Sequence, residues 1–463
     1  MSLRDTLDLL ADLWNRSTER RVLTSRMAGV YRNEWRDLYG THTLERELRD
    51  RYPHTYEMIL AVADTSVNAF RWACSKLGAI YDRAPQRKLS GIDCPSLYNS
   101  WRIDLGLAQA CKLTWALRQT ILRPVLSKDG LQVQVLSPEW SVVVPNRDNP
   151  MRIDAIMYQI VERVQRQDWI RYVVWTPEHH GIYQDQMLTA LLPMAGNPQN
   201  LNPYKVVPFT LAHAEWPEDW DAWKILDPRS SHGIYRAAVE AAIGFTHLRH
   251  VIRWASHRQV SFKGVPGKDF DPNMIVDPAN PWVVGPNATV EVHDFQIEID
   301  KQVEAVLKLL DTPLNMEGIR PELVRGFTTA TSGIDRRLQM TDLEERREEA
   351  RTLWRINEDA FYDVSREVVE VERRRSGLEH HSALPPGEIE IDYAEIGPGM
   401  GMVDALDYWR SRISAGLATP VDAIMELDDV SREDAEEKAA EAALTRAQAE
   451  RLSGGVPPSD VTQ

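Results

Sequence analysis

The sequence predicts an α+β protein, mainly helical, with its strands gathered in the middle of the chain instead of alternating with helices. Three observations predict it. Apolar residues recur at helical spacing as far as about residue 125, and from 131 the period falls to two. After Gly333 the chain then runs to Ser376 without a glycine or proline.

Taken in order, 1 to about 125 reads as helices. In "TYEMILAVADTSVNAFRWACSKLGAIY", Ile59, Val62, Val67, Phe70, Cys74 and Leu77 fall on one face, and "SWRIDLGLAQACKLTWALRQTIL" repeats the pattern. The segment "LQVQVLSPEWSVVVP" alternates and is followed by "IDAIMYQIVERV", "DWIRYVVWTPE" and "YKVVPFTLAH". Turn residues separate these runs, which predicts an antiparallel sheet. Helix returns at 231 to about 258, followed by a proline- and glycine-rich stretch that reads as a compact β insertion. "IEIDKQVEAVLKLLDTP" predicts a helix ending at Pro313.

The loop "RGFTTATS" then leads into the longest predicted helix. Ser332 with Asp335 forms a capping-box pattern, and at 1.5 Å per residue the helix would reach ~65 Å. Leu353, Ile356, Ala360, Val364, Val368 and Val371 make one apolar stripe along its second half. Two further boxes, Thr419 with Asp422 and Ser431 with Asp434, start helices near the C-terminus, and 453–463 reads as a disordered tail.

The chain has 463 residues, enough for more than one domain, and a formal charge of −15. An acidic surface argues against a tight sequence-reading DNA binder but allows a protein past which DNA slides. Cys74, Cys94 and Cys111 are odd in number with no C-x-x-C pair, so neither a disulfide framework nor a zinc ribbon is expected. The first residues read as an amphipathic helix, and no apolar run is long enough to span a bilayer.

Signals for chemistry are weak. "GPGMGM", Gly397 to Met402, follows a predicted strand and precedes a helix, as a dinucleotide loop does, but only helices follow where the fingerprint needs a second parallel strand. A connector loop is one reading; a cytosolic nucleotide- or dinucleotide-binding enzyme using Gly397 to Gly401 is the competing one. His247, His250 and His257 share one helix, with Glu240 the nearest acid, and read as a polar face rather than a metal site. That face is also basic, with Arg236, Arg249, Arg253 and Arg258. No Walker loop, G-x-S-x-G or H-E-x-x-H occurs, so no catalytic residue, metal or cofactor is expected.

The order of elements, with several local phrases, resembles the portal proteins of tailed bacteriophages, of the siphophage-like kind. "RYVVWTPE" followed by "NPYKVVPF" is similar to that family's wing strands. "TSGIDRRLQMTDLEERREEARTLW" is similar to its Ser-Gly start of a long wing helix, although Ile334-Asp335 stands where Ala-Leu is frequent. "RSRISAGLATPVDAIMELDDVSREDAEE" is similar to its helical crown. The resemblance covers nearly the whole chain.

It implies a mainly helical portal fold: a β-rich wing over 1–230, a stem helix at 231–256 and a small β-containing clip at 257–296. A second stem helix follows at 297–311, a tunnel loop at 312–331, a long wing helix and return at 332–400, and a crown at 401–452. It implies a ring of about twelve subunits at one capsid vertex of the virion, assembled in the host cytoplasm, through which double-stranded DNA is packaged and ejected. Arg320, Arg325, Thr328, Thr329 and Thr331 would face the channel. Arg236, Arg249 and Arg253 would form a basic stem face, and Lys263, Lys268 and Trp282 a docking surface on the clip. The implied partners are other copies of the chain, non-specific duplex DNA, the terminase large subunit, the head–tail adaptor, and the major capsid and scaffold proteins, with no membrane.

Overall fold

The computed structural model describes the chain except residues 1, 35–42, 62–67, 165–166, 195, 229–231, 256–258, 264–288, 294–297, 322–332, 394–408, 415, 417, 429–431 and 453–463. Contacts divide it into two units: 1–327 with 342–396, and 328–341 with 397–463.

In the first unit, α1 (Leu3–Arg16) opens on a capping box. The Ser2 hydroxyl accepts the Asp5 amide proton at 3.2 Å, and the Asp5 carboxylate accepts the Ser2 amide proton at 3.1 Å. α2 (Thr18–Arg32), α3 (Thr43–Arg51), α4 (Tyr56–Leu60) and α5 (Ala69–Leu77) follow. The helical expectation to residue 125 needs correction. A small hairpin, β1 (Gln86–Leu89) and β2 (Ile92–Asp93), interrupts it. α6 (Trp101–Leu117) then stops at Arg118, whose left-handed φ of 66° turns the chain directly into β3 (Gln119–Ser127). "RQTIL" is therefore strand, because Ile121 and Leu122 pair with β4 (Gly130–Leu136) in a sheet and gain more there than in one more helical turn.

The next strands, β5 (Ser141–Pro145), β6 (Ile153–Val164), β7 (Gln167–Trp175), β8 (His180–Tyr183) and β9 (Leu191–Leu192), form one antiparallel sheet in sequence order. β10 (Thr210–His213) instead joins β3, giving the order β10-β3-β4. The period of two has its expected result. Val142, Ala155, Met157, Tyr172 and Val174 bury one face of the five-stranded sheet under Leu10, Leu13 and Trp14 of α1. Val143, Ile156, Val173 and Trp175 bury the other with Ile121, Phe209 and Leu211. Of "YKVVPFTLAH", only the last four residues are strand.

α7 (His232–Ala255) leads to β11 (Gln259–Lys263), which pairs antiparallel with β12 (Thr289–His293). α8 (Ile299–Met316) returns against α7. Then comes α9 (Gly333–Arg375), 43 residues long. β13 (Ile389–Asp392) lies antiparallel on β1. The second unit contains α10 (Pro420–Asp428) and α11 (Arg432–Leu452), packed on each other. The box at Thr419 is formed: its hydroxyl accepts the Asp422 amide proton at 3.2 Å, and the Asp422 carboxylate accepts the Thr419 amide proton at 2.8 Å. The boxes at Ser332 and Ser431 lie outside the described residues.

Candidate channel and scaffold elements

α7 and α8 approach closely because Gly244 faces Val306. A Cβ at 244 would sit 2.8 Å from a methyl of Val306, so any side chain there would push the pair apart. On α7, Ile234, Tyr235, Ala238, Ala242 and Thr246 are buried, while Arg236 and Arg249 are exposed. Of the three arginines assigned to a basic stem face, Arg236 and Arg249 lie on different sides of the helix. At about 100° per residue, positions 249 and 253 lie ~40° apart, whereas 236 lies ~140° from 249. Glu240 is not a bystander acid, since it holds the Arg51 guanidinium through two contacts, at 2.6 and 3.2 Å. His247 stacks edge-on against Tyr52, and burial followed by His250 and Arg51 lowers its pKa. Among the described residues no group of three or more His, Cys, Asp or Glu side chains is placed to hold a metal ion.

α8 does not end at Pro313. It continues to Met316, so the first five residues of the expected 312–331 loop are helical. A proline in a last turn costs one hydrogen bond, and the helix is closed beyond it by a Schellman motif. Gly318, at φ +70°, donates to Asn315 O at 3.1 Å, and Ile319 donates to Leu314 O at 2.9 Å. Leu314 and Ile319 are both fully buried and make the apolar clasp of that motif. Gly318 is also required by space, because a Cβ there would lie 2.8 Å from the backbone oxygen of Asp342 on α9.

Arg320 sits directly after this clasp, and its Nε is 3.4 Å from Asp342 Oδ2. The residue expected to reach for DNA therefore has a carboxylate partner within its own chain. Arg325, Thr328, Thr329, Thr331, Lys268 and Trp282 lie outside the described residues, as do the side chains of Arg253 and Lys263 and the Gly397 to Gly401 loop. The strand before that loop, β13, pairs antiparallel with β1, whereas a dinucleotide fingerprint continues a parallel sheet.

Sequence reasoning missed how α9 is held. The expected stripe is only half right. Ala360, Val364 and Val368 are buried, but Ile356 is 42% exposed. The buried line instead runs through Leu343, Arg347, Ala350, Trp354, Asn357, Glu358, Phe361 and Ser365. Four of these eight are polar, which an apolar search passes over. Arg347 donates twice to the carbonyl of Lys76, at the end of α5, at 2.9 and 2.7 Å. Asn357 pairs with the backbone of His213.

Glu358 is fully buried and takes a guanidinium hydrogen bond from Arg87, also fully buried. The Tyr81 hydroxyl donates to its other oxygen at 2.6 Å, and Arg87 reaches Asp104 at 2.6 Å. Burial, then Glu358, pushes the Tyr81 hydroxyl well above its usual range, so it remains a donor. Burial works against the charge on Arg87, yet Glu358, Tyr98 and Asp104 outweigh it and raise its pKa. This cluster joins α9 to β1 and α6. Its geometry is that of a brace: each acid has a donor.

No protein-family model matches the chain, and no curated protein matches it. Among solved structures it is similar to a chain in the virion of a native gene transfer agent particle, at 12% identity and a TM-score of 0.39, covering 81% of this chain and 94% of that one. It is similar to a chain from the neck of the empty particle with C6 symmetry, at 12% identity and a TM-score of 0.40, with coverage of 81% and 94%. A chain from the native particle neck with C12 symmetry gives 12% identity, a TM-score of 0.39, and coverage of 81% and 93%. No described helix is long and apolar enough to cross a membrane.

Proposed function

We propose that the protein is a portal-type subunit, one of a ring of identical copies at a capsid vertex, with double-stranded DNA passing through the ring. The observation that supports this reading is an excursion in the chain. Two helices closed on each other at Gly244 and Val306 bracket a two-stranded ribbon and return through a glycine clasp to the foot of a 43-residue helix. That is the stem, clip, stem and wing-helix order the resemblance implies. The brace on α9 suits a part that must stay rigid while a polymer moves past. The acidic surface keeps DNA from adhering, and the hydroxyls of Thr328, Thr329 and Thr331 offer weak contacts where lysines would grip. Terminase and, later, the adaptor dock on the ribbon segment. The ring sits among capsid and scaffold proteins in the virion after assembly in the host cytoplasm. The chain itself is not a catalyst, and the motor supplies ATP hydrolysis.

Native mass spectrometry with negative-stain imaging tests the core of this. The expected particle is a single closed ring of about twelve times the 52.9 kDa chain. A monomer or dimer carrying nucleotide would replace the reading with that of an enzyme. For the channel, proheads carrying lysine at 328, 329 and 331 should assemble normally and package slowly, with the defect relieved by salt. Packaging indifferent to both charge and salt would remove the loop from the DNA path.

A further inference from the structure

The β6–β7 hairpin outruns its sheet. β5 covers β6 only as far as Tyr158, and β8 covers β7 only from Tyr172, so the pairs from Ile160–Arg171 to Val164–Gln167 have no third strand among the described residues. At about 3.3 Å per residue this arm projects ~16 Å. The side chains described on it at 161–163 and 167–170 are all exposed, on both faces. Val161 and Ile170 stand opposite each other and are 59% and 49% exposed, with Arg163 and Asp168 next along the same face. A bare two-stranded arm with an apolar face is marginal in water and calls for a partner.

The same unit carries a complementary hollow. A cleft of about 300 Å³ opens beside Trp216, walled by Ala350, Leu353 and Ile356 and rimmed by Glu349. Trp216 and Ile356 are 51% and 42% exposed, so this wall too lacks a cover. Its size suits a pair of branched aliphatic side chains. Its rim carries both signs, with Glu349 holding Arg346 at 3.0 Å, and so does the arm, where Arg163 lies 4.0 Å from Asp168. A projecting knob and a hollow at different places on one chain make a head-to-tail contact, the kind that generates rings.

We infer that the arm of one copy seats Val161 and Ile170 in the Trp216–Ile356 cleft of the next copy. The inference rests on the ring reading above and adds which surfaces join. It is tested in the full chain with Ile170→Cys and Ile356→Cys, separately and together; the native cysteines are buried. Native mass is measured first. Absence of a ring at this step sinks the ring reading and this contact with it. With rings present, a short bis-maleimide should convert the double variant into a ladder of covalent multimers and leave each single variant monomeric on denaturing gels. Intact rings whose double variant stays monomeric, or whose single variants crosslink, overturn the arm-in-cleft contact and leave the ring standing. Ile170→Asp, on an exposed arm, should raise the concentration at which rings half-dissociate by about tenfold or more; an unchanged midpoint counts equally against the contact.

Discussion

Asn357, fully buried in the middle of α9, exchanges two hydrogen bonds with the backbone of His213 on β10. The His213 amide proton goes to its Oδ1 at 3.2 Å, and its Nδ2 donates to the His213 carbonyl at 2.9 Å. A side chain amide thus completes the edge of a sheet that, among the described residues, no further strand covers at that point. Asn357→Leu should leave both backbone groups buried and unpaired and cost about 2–4 kcal/mol. Urea denaturation of the full chain measures it. A loss under about 0.5 kcal/mol would mean that water takes over the pairing.

The Arg87–Glu358 pair should behave as a buried ion pair. Arg87→Met alone leaves the buried Glu358 charge with only the Tyr81 hydroxyl and should cost about 3–5 kcal/mol; Glu358→Leu, which leaves Arg87 its Asp104 partner, should cost less, and the double substitution should recover much of the Arg87→Met loss. A double-mutant cycle on denaturation midpoints checks this. Additive losses would show that the two side chains act independently.

Stability should fall in mild acid. Burial holds the His213 imidazole down to about 4, and burial followed by nearby Arg123 holds His180 down to about 4. Their folded pKa values lie below the ordinary unfolded value of about 6.5, so the unfolded chain binds more protons between those limits. Stability is therefore fully present above about 6.5 and is lost as pH falls towards 4. His213 alone accounts for a slope of up to about 1.4 kcal/mol per pH unit in that window. His213→Leu should flatten the stability profile between pH 6.5 and 4.5 by that amount. An unchanged profile would mean the imidazole is protonated in the fold.

Gly318→Ala should weaken the exit of α8 twice over. Its φ of +70° is unfavourable for any Cβ, and that Cβ would strike the Asp342 carbonyl. A loss of about 1–3 kcal/mol is expected. Hydrogen exchange should show the Ile319 amide, now protected by Leu314 O, exchanging faster. Equal exchange rates in the two proteins would refute the clasp.

Val364→Asp with Val368→Asp should unfold the chain rather than merely block assembly. Both side chains are buried within a single copy, at 0% and 2% exposure. A cost of several kcal/mol follows from two uncompensated charges. Circular dichroism on dilute protein separates the outcomes, since a folded double variant would place this face at an interface instead.

The sequence by itself determined whatever repeats locally. Alternation along 141–145, 153–164 and 167–175 specified strands, because successive side chains point to opposite sides of a sheet. The absence of glycine and proline after Gly333 specified one long helix, and Thr419 with Asp422 specified where another begins. Only the tertiary structure decided the rest. Glu358, Arg347 and Asn357 look like solvated helix positions in sequence. They are buried because their partners, Arg87, the Lys76 carbonyl and His213, lie 144 to 271 residues away. "RQTIL" carries a helical pattern, yet it became strand because β4 and β10 were there to pair with it. Gly318 ended α8 past Pro313 because α9 leaves no room for a side chain at that corner. Local periodicity records which face of an element is apolar. It does not record which distant polar group will arrive to satisfy a buried charge or an unpaired backbone edge, and in this chain those arrivals hold the long helix in place.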